Sequence, residues 1–98
     1  MKQDTRTEQE FSADVDRALC NIRETLISKR RAYGPGNLTR FGPIGIVIRM
    51  SDKIDRLTNR YNSNEDSVGG MDNDTVSDSW MDIAGYAILG LSLHEDVK

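Results

Sequence analysis

Apolar residues recur along this chain at helical spacing, in three blocks separated by polar, glycine-bearing stretches. In the first block Phe11, Val15, Ala18, Ile22, Leu26 and Tyr33 keep one face apolar. Thr7-Glu8-Gln9-Glu10 ahead of it fits a capping box, and Gly34-Pro35 behind it stops a helix. The second block, Ile44–Tyr61, places Val47, Met50, Ile54, Leu57 and Tyr61 on one face at about 100° per residue, with Pro43 at its opening turn. The third is capped by Asp72 or Asn73 and runs to about His94. No strand-like alternation of useful length intervenes. The pattern predicts an all-α fold of three helices joined by loops at Gly34–Gly42 and Asn62–Met71, after a flexible tail over residues 1–7. Residues 8–98 then form a single domain.

The third helix is apolar nearly all round between Ile83 and Leu91, a pattern suited to a central helix. Two other helices do not surround it. With 98 residues and 37% hydrophobic content, the chain builds a thin core alone. Cys20 and Ile27, on the side of the first helix opposite Phe11 and Ile22, read either as tolerated surface residues or as a narrow subunit contact. The expectation is a bundle completed by homo-oligomerisation, as a dimer or tetramer.

Charge and composition narrow the chemistry. A net charge of −3 and a pI near 5.0 argue against nucleic acid as the main partner. One cysteine and one histidine exclude an intrachain disulfide, a Cys-based zinc site and a histidine metal cluster. The longest apolar run is too short to span a bilayer, and Met1–Thr7 lacks a signal-peptide core, so the chain reads as cytoplasmic with no membrane partner.

The second helix sorts its charges. Asp52 and Asp55 lie along one edge of its apolar face, and Arg49, Arg56 and Arg60 form a separate stripe with Lys53 just past it. Carboxylates hold Mg²⁺, and guanidinium groups hold phosphate oxygens. Asp78 and Asp82 stack one turn apart on the third helix, and Asp82 is followed at once by the apolar stretch. A carboxylate there must be paired, hydrogen-bonded or metal-bound. One reading pairs Asp82 with Arg49 or Arg56; the other joins Asp52, Asp55, Asp78 and Asp82 around a metal ion. On the first helix Lys29 falls on the apolar face with Tyr33. It either snorkels past the core edge or reaches a polar pocket, and the Gly34–Asn37 turn beside it offers backbone N–H groups to an anion. Trp80 reads as core or subunit contact.

Three blocks in order, Lys29…Tyr33-Gly34…Asn37, Arg49-Met50-Ser51-Asp52-Lys53-Ile54-Asp55-Arg56 and Asp78…Asp82-Ile83-Ala84-Gly85-Tyr86-Ala87, resemble the small phage and bacterial family called nucleotide modification associated domain 1. The resemblance covers about Lys29 to Leu91. Its helical pattern is in turn similar to the MazG-like all-α nucleoside-triphosphate pyrophosphohydrolases, which split a triphosphate between its α and β phosphates with Mg²⁺. What the resemblance implies is a phage-type, nucleotide-binding protein of the host cytoplasm. As a hydrolase it would use Asp52, Asp55 and Asp82 as catalytic residues, with Asp78 joining them on Mg²⁺, and Lys29, Tyr33, Asn37, Arg49, Lys53, Arg56 and Tyr86 on the ligand. The sequence departs from the pattern: Ser79 stands where MazG-like enzymes carry a glutamate three residues before the aspartate, and Ala32 replaces an acidic residue before Tyr33. The same pocket also suits a non-catalytic sponge, without metal, for a nucleotide immune signal of host anti-phage defence, cyclic nucleotides included. A third reading is a structural or interaction module whose charges form only salt bridges.

Overall fold

The computed structural model describes residues 3–62 and 73–94. Among them are three helices and no strand: α1 over Glu8–Tyr33, α2 over Gly42–Asn62 and α3 over Asn73–Leu93. The second expected loop and the aspartate at 72 lie outside the described residues. No described helix is long and apolar enough to cross a membrane.

Local chemistry sets the helix ends. The Thr7 hydroxyl accepts from the Glu10 backbone N–H at 3.1 Å, and the Glu10 carboxylate accepts from the Thr7 N–H at 2.8 Å. Two donors that the first turn would leave open are thereby satisfied. Just ahead of the helix, Arg6 bonds Asp4 and Asp14 and stacks over the Phe11 ring at 4.8 Å, so the segment before α1 is tied to its first turns. At the other end Gly34 adopts φ 86°, and its N–H donates to the Arg30 carbonyl at 2.9 Å. A side chain would be strained in that conformation.

α3 is the element that both other helices meet; α2 packs along it extensively and α1 more lightly. Ile46 and Leu57 of α2 are the buried hydrophobic residues, at 3% and 5% exposure. α1 has no fully buried residue. Where it crosses α3, Gly85 brings the helix backbones together: a methyl group there would stand 3.5 Å from Leu26 Cδ2.

The apolar face predicted for α2 packs in part: Leu57 is buried and Met50 half-buried, whereas Val47, Ile54 and Tyr61 are exposed, and Ile46 and Lys53 turn inward beside Leu57. Relative to the hydropathy stripe the helix is rolled toward its cationic side. The physical cause is on α3: Asp82 accepts an ion pair from Lys53, and rolling α2 outward would leave that carboxylate short of a partner.

Candidate functional site

The centre of the site is Asp82. Lys29 Nζ of α1 donates to its Oδ1 at 3.1 Å, and Lys53 Nζ of α2 stands 3.1 Å from its Oδ2. One carboxylate therefore joins all three helices. Its side chain is 17% exposed, against 38% for Lys29 and 23% for Lys53. Burial alone would raise the Asp82 pKa. The hydrogen bonds and charges of the two ammonium groups outweigh it and hold the carboxyl below its ordinary value.

The partners of Asp82 are thus lysines, not Arg49 or Arg56 as helical angle suggested. Arg56 is exposed and Arg49 half-buried. Lys29 reaches the polar pocket, which is the more specific of its two readings. α1 makes this possible because Thr25, one turn earlier on the same face, lies against α3 with its hydroxyl 3.4 Å from Met81 Sδ.

Beside the ion pairs a cleft of about 300 Å³ opens between α1 and α3, lined by Thr25, Lys29, Asp78, Met81 and Asp82. That volume is at the small end of ligand-sized clefts. Thr25 and Met81 were not singled out from the sequence; the i, i+4 step from Thr25 to Lys29 is the signal that places the first of them there. Tyr86 lines a much smaller cavity of about 20 Å³ that shares Lys29 and Asp82 with the cleft, with Ile22, Leu26 and Leu89.

The remaining expected residues are not gathered in. Asp52 and Asp55 are exposed on α2, and Tyr33 is exposed beyond the end of the cleft-lining residues of α1. Asn37 takes part in the turn after α1, its N–H donating to the Gly34 carbonyl at 3.3 Å. Among the described residues no three of the Asp, Glu, His and Cys side chains come together to hold a metal ion. Asp82, which would have to anchor such a site, has each oxygen engaged by an ammonium group. The four-carboxylate arrangement expected from helical spacing is not gathered among the described residues.

What the arrangement supplies is cationic donors at fixed positions. An ammonium group has three N–H donors, and among the described residues Asp82 is the one ion-pair partner of Lys29 and of Lys53. Arg60, further along the inward side of α2, has a buried Nε with no hydrogen-bond partner among the described residues. No protein-family model matches the chain, and no curated protein and no solved structure shows significant similarity to it.

Proposed function

We propose that the protein binds a phosphorylated nucleotide in the cleft beside Lys29, Lys53 and Asp82 and holds it without turning it over. The observation that carries this reading is the shared carboxylate. Asp82 engages two ammonium groups drawn from different helices, and Lys29, with three N–H donors and one ion-pair partner among the described residues, lines a ligand-sized opening together with Thr25 and Asp78. A phosphate oxygen completes those donors where water does so in the free protein. The resemblance of the Arg49–Arg56 and Asp78–Ala87 blocks to a nucleotide-associated family supports the same ligand class. Binding is favoured over hydrolysis because the carboxylates that would hold the metal are spread over exposed positions of α2 and over an aspartate already paired twice.

The test is a thermal-shift and calorimetric titration with nucleoside triphosphates, monophosphates and cyclic nucleotides, each with and without Mg²⁺. A rise in Tm that is independent of Mg²⁺, is lost on Lys29→Ala, and yields intact ligand after heat denaturation is the expected result. Absence of a shift with every nucleotide overturns the reading. Release of pyrophosphate, abolished by Asp82→Asn, would restore the hydrolase in its place.

A further inference from the structure

The cleft beside Asp82 holds a residue that phosphate binding does not explain. Asp78 lines it together with Thr25, Lys29 and Met81. It is exposed and has no hydrogen-bond or ion-pair partner among the described residues. Two ordinary roles fail to account for it. It does not pair with Lys29, whose partner is Asp82. It is also the sixth residue of α3, which begins at Asn73, and so stands beyond the first turn, where a carboxylate steadies the helix dipole. In a cleft that held phosphate by charge alone, a free carboxylate one turn from the lysine's partner would only repel the ligand. The same carboxylate favours a ligand that brings hydrogen-bond donors along with its phosphate, because an ionised carboxylate accepts and never donates.

We propose that Asp78 reads the sugar: the ligand is a ribonucleoside 5′-monophosphate, with its phosphate on Lys29 and its 2′- and 3′-hydroxyls on the Asp78 carboxylate. The inference rests on the nucleotide reading and narrows it.

Reach is the first support. Asp78 and Asp82 are one helical turn apart, so their side chains leave α3 about 5–6 Å from each other. Lys29 Nζ sits at the Asp82 end, 3.1 Å from Oδ1. That step matches the span from a 5′-phosphate across the sugar ring to its diol edge. The N–H donors of a base lie farther out, past the sugar. Two hydroxyls on adjacent carbons also match the two oxygens of one carboxylate.

The surface between the two ends is the second support. Met81 lies between Asp78 and Asp82 in the chain and lines the cleft with them, its sulfur 3.4 Å from the Thr25 hydroxyl. A polarizable thioether there suits the C–H face of a sugar ring.

Charge and size are the third. The lining side chains include two carboxylates, Asp78 and Asp82, and one ammonium group, Lys29. A single phosphate meets the lysine, whereas further phosphates would meet like charge. An opening of about 300 Å³ suits a compact ligand.

Calorimetric titration of the full-length protein with adenosine and guanosine 5′-monophosphates, their 2′-deoxy forms and ATP tests this. The ribonucleotides are expected to bind about 10-fold or more tightly than the deoxy forms, because a hydrogen bond to a charged acceptor is lost. ATP is expected to bind more weakly than the monophosphate. Asp78→Ala removes an exposed, unpartnered side chain from a helix and is not expected to lower Tm. It is expected to bring the ribose-to-deoxyribose ratio close to one and to improve ATP relative to the monophosphate. Equal affinity for both sugars overturns the inference and leaves the nucleotide reading standing. So does a sugar preference that survives in Asp78→Ala, because another group then reads the hydroxyls, and so does tighter binding of ATP than of the monophosphate. Failure of every one of these nucleotides to bind removes the nucleotide reading itself, and this inference with it.

Discussion

Lys29 and Lys53 stand on different helices and are brought to one place by the opposite oxygens of Asp82, each 3.1 Å from its ammonium nitrogen. Lysines usually keep such a charge in water. Here each long side chain runs along the packed helices to reach a carboxylate that α3 presents at its most apolar stretch. Removing the carboxylate leaves two ammonium groups facing each other. Asp82→Asn is expected to lower stability by about 1–3 kcal/mol, read by urea unfolding with the slope m unchanged. Lys29→Met, which deletes the more exposed of the two lysines, is expected to cost less than Lys53→Met.

The same contact sets a response to acid. The Asp82 carboxyl is held below its ordinary value, so its ion pairs add stability that is complete above the unfolded-state pKa of about 4. That contribution disappears as the pH falls through the depressed value of the folded protein. Stability measured from pH 7 downward is expected to stay level for this contact until about pH 4 and then decline. In Asp82→Asn the corresponding part of the decline is expected to be missing, so the two stability curves converge in acid.

Two helical glycines respond oppositely to a methyl group. At Gly85 the new Cβ meets Leu26 at 3.5 Å, an ordinary contact. Gly85→Ala is expected to raise stability by about 0.5–1 kcal/mol through helix propensity. At Gly45 the new Cβ falls 2.7 Å from Phe41 Cβ, an atom close to the backbone that moves only with it. Gly45→Ala is expected to lose that gain and to destabilise the start of α2, with a lower Tm than the parent.

The capping box at the start of α1 gives a measurable end effect. Thr7→Ala removes the acceptor for the Glu10 N–H and is expected to cost about 1 kcal/mol. Hydrogen exchange is expected to quicken in the first turns of α1 while the amides around Lys29 keep their protection.

Helix ends were legible in the sequence because their chemistry is local. Thr7 with Glu10, Gly34 with its positive φ, and Pro43 near the opening of α2 act on neighbours a few residues away. The inward aim of Lys29 was legible for a related reason: a lysine on an apolar stripe needs a destination. The roll of α2 was not. Hydropathy orients a helix by its apolar residues, and Val47 and Ile54 outweigh Lys53 in any such sum. The orientation observed is set by a carboxylate on another helix. Asp52 and Asp55 are not gathered with Asp82 among the described residues for the same reason, since the roll of α2 leaves both exposed.

α1 and α2 each rest against α3 far more than against each other. Mechanically the molecule is a chain of supports in series, with α3 as the single intermediate link. A force or a protease that loosens α1 leaves the packed pair of α2 and α3 standing. One that disrupts α3 frees everything at once, the cleft at Asp82 included. Any signal that reorients α3 would accordingly be felt at Lys29 and Lys53 together.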